Sequence, residues 1–132
     1  MAATGSFYTY TKQVSLEAHA AQEDGLGVVI GADSNHYMSK SAAPGAGEAI
    51  DYVTTKTAVA AGDELDVAVV GLGEVVQLRA DAAIAYGAKV MVQADGRFIT
   101  ATATNIAQYK AVQAASQGSV FSAVRIEQET IA

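Results

Sequence analysis

Short apolar runs with a period of two, each cut off by glycine, constrain this chain more than any other feature. In DELDVAVVG, from Asp63 to Gly71, Leu65, Val67 and Val69 fall on one side and Glu64 and Asp66 on the other. Successive side chains of a strand point to opposite faces, so this pattern predicts a half-buried strand. Gly71 and Gly73 punctuate it, and extended structure resumes from Glu74 to Leu78. In VMVQADGRFIT, from Val90 to Thr100, Asp95-Gly96 suits a two-residue hairpin turn, because glycine takes positive φ without steric cost. That turn sets Val92 opposite Ile99 and Val90 opposite Ala101. SVFSAVRIE, from Ser119 to Glu127, predicts a last strand with Val120, Val124 and Ile126 on one face and Arg125 and Glu127 on the other. GVVIG, from Gly27 to Gly31, predicts a further short strand.

Helix is scarce. Asp81 can cap a short turn through Ala85 that ends at Gly87. Ile106, Tyr109 and Val112 have helical spacing, yet an internal echo favours a turn and then a strand up to Ala115. AAGDELDVAVV, from Ala60, resembles SQGSVFSAVRI, from Ser116. Gly62 then aligns with Gly118, Leu65 with Phe121 and Val70 with Ile126. Each segment follows a stretch with a tyrosine and a lysine, Tyr52 and Lys56 in one case, Tyr109 and Lys110 in the other. Two strand–turn–strand units of this kind would make a small closed or nearly closed β-structure. The expected fold is therefore all-β, a small barrel-like or sandwich-like domain of short strands and hairpins with at most one or two short helical turns. Residues 1–24 read as an extended N-terminal arm and first strand, and 25–132 as a single β domain. Within it SAAPGAGEA, 41–49, holds the only proline and reads as a flexible surface loop.

At 132 residues the chain is about one domain's worth. A hydrophobic share of 51% against 17% charged residues describes a folded protein. Cysteine is absent, which removes disulfide scaffolds, thiol catalysis and thiolate metal sites. The net charge is −6, and the eight Lys and Arg are scattered from Lys12 to Arg125. Nucleic-acid binders present a basic patch to phosphates, so no nucleic-acid partner is expected. MAATGSFYTYTK does not read as a signal peptide, and no apolar run approaches the ~18–20 residues of a membrane span.

Chemistry finds little footing. The histidines are His19, in EAHAAQED, and His36, in the polar turn ADSNHY. Asp33 and His36 supply two ligands, and two ligands do not make a metal site. Glu64 and Asp66 leave one strand on the same solvated side, unlike a general acid–base pair in contrasting environments. GLGVVIG, from Gly25, has the look of a dinucleotide fingerprint, but Ile30 stands where the third glycine belongs. The expectation is a binding or structural protein, without catalytic residues, cofactor or metal. The one concentration above background is Phe7, Tyr8 and Tyr10, three of nine aromatics within four positions. Tyrosine pairs buried area with a polar handle, which suits an interface; an ordinary first strand buried in the core would use the same residues.

From residue 50 to 127 the chain resembles the capsid cement, or head decoration, proteins of tailed bacteriophages. The resemblance is carried by Gly62, Asp63, Val67, Val69 and Gly71, then by Ala83, Ile84, Gly87 and Val90. Asp95, Gly96 and Arg97 follow, in a hairpin one residue tighter than the family form, and Ala114, Ala115, Gly118 and Val124 finish the series. It implies an all-β fold, no enzymatic activity, and attachment to the major capsid protein on the outer face of the shell. It also implies homo-oligomers, often trimers. Phe7, Tyr8, Tyr10 and Lys12 are the expected capsid contact, on an arm that pairs with a neighbour. Two other readings stay open: a carbohydrate- or receptor-binding β module with exposed tyrosines, and a small enzyme or carrier with a pocket holding His36 and Asp33 or Glu48.

Overall fold

The computed structural model describes residues 12–35 and 38–132. They form ten strands and no helix: β1 (Lys12–Glu17), β2 (Gly27–Asn35), β3 (Met38–Ala42), β4 (Tyr52–Thr54), β5 (Glu64–Val69), β6 (Val75–Arg79), β7 (Lys89–Val92), β8 (Phe98–Thr100), β9 (Ile106–Ala111) and β10 (Val120–Thr130). The all-β class follows. β1 to β5 close into a barrel, and β6 to β10 form a second five-stranded sheet packed against it. Asp81 caps no helix. The segment after it makes the isolated bridge Ile84–Ala115 and then a turn in which Gly87 has φ +84°.

The two halves are copies of one unit, far beyond the echo between Gly62 and Gly118. Leu16 pairs with Leu65, and Leu78 with Phe121. Val28 pairs with Tyr52, and Val90 with Tyr109. Val53 pairs with Ala68, and Lys110 with Val124. The bridge Gln22–Ala58 matches Ile84–Ala115. Strand order is shared too: β3 returns parallel to β1 at Glu17–Lys40, and β8 approaches β6 by the parallel bridge Ala80–Phe98. Gly62 (φ +92°) and Gly118 (φ +84°) turn the chain identically into β5 and β10, a conformation that L side chains disfavour.

The core sits inside each unit and at the seam between them. Leu16, Ala18, Val28, Ala58, Leu65 and Val67 fill the barrel. Leu78, Val90, Phe98, Tyr109 and Phe121 fill the concave side of the second sheet, and Ile50, Val53, Ala68 and Val70 of the first unit close it. Phe98 meets Tyr109 edge-on, with centroids 6.1 Å apart. Burying a side chain such as Phe98 or Leu78 contributes about 1.5–3 kcal/mol. Main-chain hydrogen bonds also cross the seam: Arg79 N–H to Gly25 C=O at 2.9 Å, and Gly27 N–H to Gly96 C=O at 2.9 Å. A Cβ on Gly27 would lie 2.8 Å from Ile50 Cδ1 and 3.0 Å from Val92 Cγ2, so only glycine fits this approach without displacement.

This arrangement corrects four readings. In β5, Leu65 and Val67 are buried but Val69 is 39% exposed, while Ala68 and Val70 are buried on the other side. The strand is a wall between two cores, so neither face is solvated along its length. In β10 the buried residues are Phe121 and Ala123, whereas Val120 is exposed. Arg125 belongs to that inner side, its guanidinium 5.8 Å over the Tyr109 ring. The β7–β8 hairpin pairs Val92 with Phe98 and Val90 with Thr100, one residue out from the expected register. Gln93 N–H bonds Arg97 C=O, and Gly96 N–H bonds Gln93 C=O with φ +90° at Gly96. This is a three-residue loop with glycine at the left-handed position. Finally, 41–49 is not all loop: Ser41 and Ala42 end β3, Ser41 is buried, and Gly47 donates to Val92 and accepts from Ile106.

Candidate functional site

Of the residues expected to touch a capsid, Phe7, Tyr8 and Tyr10 lie outside the described residues. Lys12 opens β1 opposite Val69 and is exposed. His36 is also outside them. His19 is not a plain surface residue. Its N–H donates to Ser41 Oγ at 3.0 Å, and its Nδ1 lies 2.7 Å from the same oxygen. The Ser41 hydroxyl thus meets both the main chain and the ring of His19. Burial first, and then the charge of Lys40, lower the His19 pKa below its ordinary 6.5. Ser41 is 2% exposed, so this pair ties β3 to the end of β1 and presents no nucleophile to a substrate. Among the described residues no cluster of three or more acidic, His or Cys side chains is placed to hold a metal.

Charge gathers at the seam. Arg79 bonds Asp24 Oδ1 at 2.7 Å, Asp24 C=O at 3.1 Å and Gly118 C=O at 2.8 Å. Arg97 forks onto Glu23 at 2.9 and 3.1 Å and faces Asp81 at 3.7 Å. The Glu23 carboxylate and the other acids beside it raise the Arg97 pKa, against the opposing effect of burial. These pairs weld the β1–β2 loop to the second unit, and nothing in the sequence around Glu23 and Asp24 marks them for it. Next to them a cleft of about 380 Å³ is lined by Gln13, Thr54, Thr55, Gln77 and Ser122.

The internal copy exposes a second surface. The first unit covers the second with Gly27, Val53 and Ala68 in one row. In the second unit the same row reads Lys89, Lys110 and Val124 and has no such cover among the described residues. Tyr86, 75% exposed, stands where Asp24 stands in the first unit, and Val112 stands where Thr55 does. Like charges directly opposite on neighbouring strands repel. Lys89 is offset by Glu129 at 2.9 Å, while Lys110 has no ion pair among the described residues. An acidic protein thus carries a basic and apolar face. Two lysines 21 positions apart in the chain gave no sign of it, because only the β7–β9 pairing makes them neighbours.

No family model matches the chain, and no curated protein does. Among solved structures, the crystal structure of the head fibre gp8.5 N base of bacteriophage phi29 matches with a TM-score of 0.71. The chain has the fold of a phage head-fibre base. Identity is 17%, and the match covers 87% of this chain and 93% of that one. The resemblance to head decoration proteins and this likeness in fold agree in kind, since both are to proteins of phage heads.

Proposed function

We propose that the chain is a non-catalytic decoration protein of a tailed-phage head, bound to the major capsid protein on the outside of the shell and stabilising it. The likeness in fold to a head-fibre base carries the reading, because it spans nearly the whole of both chains. The basic, apolar face of Tyr86, Lys89, Lys110, Val112 and Val124 supplies the contact: lysines steer it toward an acidic shell surface, and Tyr86 provides buried area. Trimers fit this role, since closed cyclic assemblies protect exposed sheet edges. The test is sedimentation with empty shells. The chain co-sediments in fixed stoichiometry, and Lys89→Glu with Lys110→Glu weakens binding at least about tenfold, by analogy with charge reversal at other steered interfaces. Failure of the unaltered chain to co-sediment rejects the reading.

The seam cleft favours a second reading, a carbohydrate-binding module. Its amides and hydroxyls, Gln13, Thr55, Gln77 and Ser122, are the groups that sugars hydrogen-bond. Glycan binding without shell binding selects it.

A further inference from the structure

β6 ends the second sheet and pairs with β10 on one side only. In an antiparallel pair, alternate residues turn their N–H and C=O groups toward the partner strand, and the others turn them away. Ala80 and Glu74 turn toward β10: Ala80 N–H donates to Ser119 C=O at 2.9 Å, and Glu74 C=O accepts from Arg125 N–H at 2.9 Å. Arg79 turns away, and its N–H donates to Gly25 C=O of the first unit at 2.9 Å. Val75 and Gln77 share the direction of Arg79, so their main-chain groups face the outer edge of β6. Among the described residues none bonds to them. β8 meets the chain only past the end of β6, at the parallel bridge Ala80–Phe98. Along Val75, Val76 and Gln77 lies the seam cleft instead. Ala68 and Val76, both buried, form its apolar floor, and the exposed Gln13, Thr55 and Gln77 form its polar rim.

We infer, on the reading of the chain as a head decoration protein, that the seam cleft receives an extended segment of the shell protein, added to β6 as a strand beside Gln77. Two observations choose this occupant. Val75 and Gln77 each offer the edge a donor and an acceptor, and an extended main chain answers both at the repeat of a strand. The edge is also continuous with the face assigned to the shell. Val75 stands beside Val124, Val124 beside Lys110, and Lys110 beside Lys89. Val75 thus lines the cleft and begins the lysine row, so a shell chain held by that row meets the edge next. The segment that fits alternates small apolar side chains, toward Ala68 and Val76, with polar ones toward the rim.

Proline at position 77 tests this. The Gln77 N–H points to the edge and not to β10, so Gln77→Pro spares the β6–β10 pairing, removes the donor and sets a ring against an incoming strand. Gln77→Ala alters the side chain alone. Both are made in the full chain and sedimented with empty shells. Gln77→Pro weakens binding at least about tenfold, as loss of a buried hydrogen bond does, and Gln77→Ala stays within about threefold of the parent. Equal binding by Gln77→Pro and the parent overturns the inference and leaves the decoration reading standing; a parent that does not co-sediment removes both. A loss in Gln77→Ala as large as in Gln77→Pro also overturns it, since the side chain then carries the contact. If Gln77→Pro does not fold, hydrogen exchange of the unaltered chain decides, read by mass spectrometry on peptides spanning Gln77. The Val75 and Gln77 amides exchange fast in the free chain and at least about tenfold more slowly on shells. No slowing overturns the inference. Protection already present without shells overturns it too, in favour of a second copy where it grows with protein concentration. Slowing by a glycan and none by shells overturns it in favour of the carbohydrate reading.

Discussion

Val53 tests how the units are joined. It is fully buried and sits with Ile50, Ala68 and Val70 against Val92 and the second sheet. Its counterpart in the second unit, Lys110, is exposed. The change Val53→Lys asks the seam to accept the residue that the copy tolerates. Losing the buried valine costs about 1.5–3 kcal/mol. The ammonium must then either lose its proton or part the seam. Deprotonation in a fully buried site means a pKa depressed by about 3–5 units, which at neutral pH costs roughly 4–5 kcal/mol, the free energy of stripping a proton from a lysine of ordinary pKa. Parting the seam exposes Ile50 and Val70 at about 1.5–3 kcal/mol each. Both routes bring the total to at least about 5 kcal/mol, comparable with the roughly 5–15 kcal/mol that holds a typical domain together. Urea unfolding followed by far-UV circular dichroism measures it. The variant loses at least about 4 kcal/mol or unfolds in two steps, whereas Lys110→Val stays within about 0.5 kcal/mol of the parent. A Val53→Lys protein within about 1 kcal/mol of the parent, with an unchanged urea slope, would refute the account of the seam.

Three further outcomes follow from the same structure. Gly87→Ala costs about 1 kcal/mol for its positive φ, with open space around the new Cβ, while Gly25→Ala costs more, because its Cβ would lie 2.9 Å from Arg79 N; equal costs in thermal melts would contradict the seam geometry. His19 binds its proton more weakly folded than unfolded, so stability falls as pH drops through the unfolded value of 6.5; melting temperatures between pH 7.5 and 5 should show a drop that His19→Gln lessens. Burial, partly countered by Arg125, pushes the Tyr109 hydroxyl up to about 12, so the folded state keeps a proton that the unfolded state releases above 10; absorbance at tyrosinate wavelengths should show one tyrosine ionising only as the chain unfolds between pH 10 and 12.

The strands around Leu65, Val76, Val90 and Phe121 were legible because each has at least one apolar side and a glycine-bearing turn beside it. β5 and β10 depart from the pattern for different reasons. Period-two reasoning assumes that one face meets water, and β5 meets a core on both; in β10 the outward side carries Val120 and Val124, which are as apolar as the buried Phe121 and Ala123. The duplication is only partly legible. Gly62 aligns readily with Gly118, but the fuller match of Val14, Leu16, Ala18, Ala20, Ala21, Gly25 and Val28 with Val76, Leu78, Ala80, Ala82, Ala83, Gly87 and Val90 rests mostly on alanines, which suit an arm as well as a strand. The lysine face could not be read from the chain at all, since cross-strand neighbours are chosen by register.

The hydrogen bonds from Arg79 to Gly25 and from Gly27 to Gly96 join peptide groups, not side chains. A joint written in the backbone survives substitution of almost everything around it except the glycines that let the chains approach. The two copies were therefore free to diverge: one turned its row into Gly27, Val53 and Ala68 and became a lid, and the other turned the same row into Lys89, Lys110 and Val124 and stayed outward. Such a molecule can exchange the residues of its outward row without renegotiating its own shape.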